Sequence, residues 1–235
     1  MEDNHKQTEF QSYTKQNCNT SLEMLEQNIA LSLEKQGNLA DIIDSKSWQF
    51  DMNEGTISFE DIILPIQIIG SLSFNNNSWM WGWANSKSGI PENLLIQSNK
   101  LKAIGEEKNI EELTNPHFHV EENFEHKIGM IACGIFNSKS YYCANYGQGT
   151  LVVTIDDDAI PAIDKSKPEK VMTNFPQAIS SFDVNHKNAF INYLIDREIP
   201  LKITNNSIEG KKDNNIIIAN FDELNRLTSL NGELK

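Results

Sequence analysis

Three histidines, His117, His119 and His126, stand within ten positions of one another. On an extended segment His117 and His119 point the same way, and a third ligand would complete a metal site of the zinc type, with Glu121, Glu122 and Glu125 as nearby carboxylates. The helical arrangement of two histidines four apart with a glutamate between them is missing. The surrounding residues read as a solvent-exposed linker, so neither a metal nor a cofactor is expected. His5 and His186 read as ordinary surface residues.

The most unusual run is SWMWGWAN, residues 78–85. Read as a strand, it sets Trp79, Trp81, Trp83 and Asn85 on one face and Ser78, Met80, Gly82 and Ala84 on the other. A ribbon of three indoles suits stacking on flat ligands or anchoring a protein interface. Packed under helices, the same ribbon is core. Trp79, Trp81, Trp83 and Asn85 are therefore the candidate ligand- or partner-binding residues, with both roles open.

Other groups offer less. A cysteine nucleophile needs a nearby base and a lowered pKa. Cys133 lies among Ile131, Ala132 and Ile135 and reads as a small buried hydrophobe, Cys143 lies between aromatics, and Cys18 precedes a helix. None has an evident histidine partner. Asp156, Asp157 and Asp158 end a strand but lack the alternation and central glycine of a calcium loop. Phosphate loops, dinucleotide fingerprints and nucleophile elbows are absent. No catalytic residue is assigned. The alternative is an enzyme whose cleft brings His117 or His119 to Asp156.

The elements that must position these residues follow from length, charge and periodicity. The 235 residues carry a formal net charge of −13, which argues against nucleic acid and anionic membranes, since both demand clustered Lys and Arg. A basic protein is one candidate partner, an unknown protein or small molecule the broader one; oligomeric state is not readable. No apolar run is long enough to cross a membrane, and the N-terminus lacks the basic start and apolar run of a secretory signal. Together with three scattered cysteines this predicts a cytoplasmic protein.

Residues 1–16 are polar and predict a frayed end. Leucines and isoleucines from Leu22 to Ile43 repeat at helical spacing, with Thr20 or Ser21 as cap and Gly37 as a break. From Trp48 the period becomes two. A hairpin turning at Gly55, a longer strand with Pro65 at an edge or bulge, and the tryptophan strand make a four-strand antiparallel meander. Helix follows from Pro91 to Gly105. Phe124, Ile128, Ile131, Ala132 and Ile135 favour a helix over a strand across 121–136, followed by strands YYCANY and GTLVVTID. DDDAIPAIDKSKPEK, 156–170, is the best boundary. Beyond it a helix from Ala178 to Ile195 precedes strands IPLKITNN and NIIIANFD, with a short strand at Ile208–Gly210 and a short helix or final strand at LNRLTSL.

Ile69-Gly70-Ser71 followed by Ser78-Trp79-Met80-Trp81-Gly82-Trp83-Ala84-Asn85 resembles the strand signature of a bacterial family of uncharacterised proteins, domain of unknown function 6882. The hairpin Trp48–Phe59, the helix before Asn137, the Tyr141-Tyr142 pair and Ala219-Asn220-Phe221-Asp222 are similar to it too, so the resemblance spans about residues 20 to 230. It implies an α+β protein and no activity. The expected architecture is α+β: an antiparallel meander packed by helices over residues 17–158, and a smaller C-terminal helix-plus-strands portion over 171–235. The expected role is a non-catalytic protein- or ligand-binding module.

Overall fold

Thr20 starts the first helix, α1 (Ser21–Ile43), as a side-chain cap: its Oγ1 accepts from the Glu23 amide at 3.1 Å, while Glu23 reaches back to the Asn19 amide. The computed structural model describes residues 9–233; His5 lies outside them. The chain divides into two units. The larger takes Cys18–Leu25 and Ser32–Ile163; the smaller takes the described residues up to Asn17, Glu26–Leu31 and everything from Asp164. The fold is α+β, with two antiparallel sheets.

The larger unit holds seven strands: β1 (Trp48–Asp51), β2 (Thr56–Phe59), β3 (Ile62–Ser73), β4 (Ser78–Trp81), β5 (His117–His119), β6 (Ser140–Asn145) and β7 (Gly149–Ile155). The long strand β3 organises them. One of its edges bonds β2 along Ile62–Pro65 and then β4 along Gly70–Ser73; the other bonds β7 from Ile66 to Ser73. Pro65, which has no N–H, sits one residue before the pairing with β7 begins.

Within β3 the register to β7 steps from Ile68↔Val153 to Gly70↔Val152, leaving Ile69 as an extra, bulged residue. The hydroxyl of Ser98 donates to the Ile69 carbonyl at 2.9 Å. The bulge exchanges faces. Before it, Leu64, Ile66 and Ile68 share a face with Val153 and Ile155 and pack with Leu39, Ile43, Ile57 and Phe59. After it, Gly70 and Leu72 share the opposite face with Val152 and Thr150, Trp79 and Trp81. Helices α2 (Ile96–Lys108), α3 (Glu111–Thr114) and α4 (Phe124–Ile135) complete this unit. Gly129 lets α4 approach the ring of Tyr141 so closely that a β-carbon there would collide with it.

In the smaller unit α5 (Lys170–Ser180) and α6 (His186–Asp196) precede β8 (Leu201–Ile203), β9 (Ser207–Lys212), β10 (Asn215–Phe221) and β11 (Leu227–Glu233), in the sheet order β11-β10-β9-β8. Phe175 and Phe190 meet edge to face at 4.8 Å over buried Ile208, Ile217, Ala219 and Phe221.

Several expectations change. Gly37 does not break α1, which runs straight through it. The frayed N-terminus is tied down in its described part, where Gln11 and Leu201 exchange both backbone hydrogen bonds at 2.9 and 2.8 Å. The tryptophan strand ends at Trp81, and Gly82–Ala84 turns into a 3-10 helix. The helix expected up to Gly105 runs to Lys108 and stops at Asn109, which is left-handed at φ 56°. The helix expected over 178–195 is two helices, α5 and α6. His117 and His119 lie on a strand rather than in a linker. Among the described residues no helix is long and apolar enough to cross a membrane.

Candidate functional site

Trp79 and Trp81 have no exposed surface. Their rings meet edge to face at 5.4 Å, and Trp79 also meets Phe124 at the start of α4 at 5.5 Å. Trp81 Nε1 donates to the Glu112 carbonyl at 3.1 Å, whereas the Trp79 indole N–H is buried without a partner. Both residues are core. Trp83 leaves their face because Gly82 turns the chain; it is half-buried, with Lys102 Nζ 4.6 Å from its ring centroid. Asn85 closes that turn, donating its amide to the Gly82 carbonyl and accepting from the Ser88 hydroxyl.

His117 and His119 do point the same way, towards the β3–β4 turn. His119 Nδ1 donates to the Asn76 carbonyl at 3.0 Å, and His117 Nε2 bonds Ser78 Oγ at 2.9 Å, whose own proton goes to Asn76 Oδ1. The structure does not bring them to Asp156. Through the ladder His119 lies level with Ser78, Ser73 and Gly149, at the opposite end of β7 from Ile155 and the exposed Asp156. Among the described residues no three His, Cys, Asp or Glu side chains are grouped to hold a metal.

One pairing escaped the sequence. Cys143 Sγ lies 3.7 Å from His126 Nδ1, which also takes the Tyr141 hydroxyl at 3.2 Å. The residues come from β6 and α4, so only the packing of Tyr141 on Gly129 brings them together. The geometry resembles a thiol and its base, but the electrostatics oppose it. Burial first, and the Glu125 carboxylate second, push the Cys143 thiol far above its ordinary value, so it stays protonated. Burial likewise pushes Cys133 up to about 11, despite the opposing charge of Lys35.

The sheet end near this cluster carries a cavity of about 250 Å³, between the β3–β4 turn and the N-terminus of α4. Leu72, Phe74 and Val120 give it an apolar wall, and Glu121, Glu122 and Glu125 line the rest together with Asn77 and Asn123. Phe74 is 39% exposed there. Glu125 Oε2 is buried without a hydrogen-bond partner. Lys127, two residues on, is committed to both oxygens of Glu112 at 2.9 and 3.0 Å. Among the described residues none of the three glutamates is ion-paired. A mixed apolar and acidic cleft of this kind suits a positively charged group on an aliphatic stem. The sequence offers Glu121, Glu122 and Glu125 as possible metal carboxylates, and Glu121 and Glu122 also as the first turn of a helix that in fact begins at Phe124; Phe74 joins them because the chain turns back at Asn75–Asn77.

The model of a family of unknown function (DUF6882) matches residues 22–158. The match covers the tryptophan strand and the cavity and leaves out Ala219–Asp222. No curated protein matches and no solved structure matches.

Proposed function

For a chain that belongs to the family of unknown function DUF6882, we propose the role of a non-catalytic binding module that captures a basic side chain of a partner protein. The observation that carries this reading is the cavity over Leu72 and Phe74, where three unneutralised carboxylates face an apolar wall. An Arg or Lys stem packs on Phe74 and Val120 while its charged head answers Glu121, Glu122 and Glu125. The buried, unpartnered oxygen of Glu125 gains the donor it lacks. A net charge of −13 steers a basic partner towards the molecule. In this reading Trp79 and Trp81 act from behind, fixing Phe124 and so the start of α4, while the half-buried Trp83 and Asn85 stand outside the cavity lining.

The test is a titration of the labelled full chain with N-acetyl-arginine amide, followed by amide NMR shifts. Shifts confined to residues near Phe74, Val120 and Glu121–Glu125, and abolished by Glu121→Gln, Glu122→Gln and Glu125→Gln together, support the reading. Equal shifts over the whole acidic surface, or none, overturn it.

A further inference from the structure

The N-terminus of α6 is held by the turn that joins β10 to β11. Asn185 caps the helix through the Asn188 amide at 3.0 Å. The Lys187 amide, one of the helix's unpaired donors, goes to the Asn225 carbonyl across the turn at 3.2 Å. The first residue of β11 returns a bond of its own: the Leu227 amide donates to His186 Nδ1 at 3.0 Å. That bond requires a lone pair on Nδ1, so the imidazole is neutral with its proton on Nε2. The strand it secures is an edge strand, bonded along one side to β10, with a register irregularity at Asn220/Phe221 beside Leu227.

We propose that His186 is a pH-responsive latch: neutral, it fastens the start of β11 to the N-terminus of α6; protonated, it releases the β10–β11 turn and the first residues of β11. Protonating Nδ1 replaces the acceptor by a donor facing the Leu227 N–H, so the bond is lost and two donors oppose each other. The positive end of the helix dipole disfavours the imidazolium further.

The charged groups acting on the ring are Asp183 just before α6 and Asp222 and Arg226 in the turn. The two aspartates favour the imidazolium and Arg226 opposes it. Asp222 is already engaged, accepting from the Leu224 and Arg226 amides and from Arg226 Nε. Burial outweighs the aspartates and sets the ring below its ordinary value of 6.5. The sign follows: folding favours the neutral ring, so the latch is fully closed above that value and opens progressively as pH falls below it.

The test is amide hydrogen exchange of the full chain read by NMR at about pH 7.5 and about pH 5.0, corrected for intrinsic rates. Protection of the Leu227 amide should fall by about fivefold or more at the lower pH. His186→Asn, whose Oδ1 accepts without titrating, should hold its protection within about twofold. Unchanged protection in the natural chain, or an equal loss in His186→Asn, overturns the proposal. A second reading needs no variant: the ring shifts of His186 and the amide shift of Leu227 must titrate with one midpoint, and separate midpoints overturn it as well. Asp222 stays ionised over this range because its contacts hold it below the usual carboxylate value, so it does not imitate the effect. The proposal concerns the smaller unit alone, and its failure leaves the reading of the acidic cavity untouched.

Discussion

The indole of Trp79 occupies the space in which a side chain at Gly70 would stand. The two residues are diagonal neighbours on adjacent strands, and the Met80 carbonyl closes the gap from the other side. The ring therefore rests on bare backbone, which lets a fully buried tryptophan lie tight against its own sheet.

Gly70→Ala should destabilise the larger unit by about 3 kcal/mol, because neither an indole packed on Phe124 nor a strand carbonyl yields easily. Urea unfolding followed by tryptophan emission measures it. A change below about 0.5 kcal/mol would show that the sheet relaxes around the new methyl group.

Gly37 presents the opposite case. It is exposed inside α1, and nothing lies within 4 Å of the place its β-carbon would take. Gly37→Ala should raise stability by about 0.5–1 kcal/mol, through the unfolded chain's lost freedom. A loss of stability would mean that the helix uses the glycine in a way its local geometry does not reveal.

The thiols should be sluggish. Cys18 and Cys133 are buried, and burial raises Cys133 and Cys143 well above their ordinary values. At about pH 8 the native protein should react with Ellman's reagent at least about tenfold more slowly than the chain unfolded in guanidinium. Rapid native labelling of Cys143 would mean that His126 holds a thiolate after all.

Asp222 sets an acid limit on the β10–β11 turn. Hydrogen bonds from Arg226 and the Leu224 amide hold its carboxyl below its ordinary 3.8. Its contribution to stability is whole above that value and is lost as pH falls through the lowered one. The carboxyl carbon shift of Asp222 should titrate below 3.8, and Asp222→Asn should flatten the acid limb of unfolding. A midpoint at or above the ordinary value would contradict the turn geometry.

How much of this was legible before folding depended on the range of the interaction. Helix α4 was readable because Phe124, Ile128, Ile131 and Ile135 repeat at its own period, and the β1–β2 hairpin because Gly55 marks its turn at φ 68°. The bulge at Ile69 was not, because IQIIG offers apolar residues to either face and the register is decided by β7, far along the chain. Nor was the departure of Trp83: strict alternation continues to Asn85, yet Gly82 turns against Leu95 and the Ile69 carbonyl. The pairing of His126 with Cys143 and the closure of Phe74 over Glu121–Glu125 arise only from tertiary packing. His186 looked like a surface residue because its partner is a backbone amide, which no side-chain pattern announces.

The division of β3 between partners has a consequence during synthesis. The hairpins that cover one edge leave the ribosome with it or soon after, but the edge from Ile66 to Ser73 waits for β7, which is complete only at Ile155, about 80 residues later. At ~5–20 residues per second that edge stays bare for roughly 4–16 s. A nascent chain stalled before residue 149 therefore displays an eight-residue strand edge with no partner along it, a ready template for pairing with another such chain.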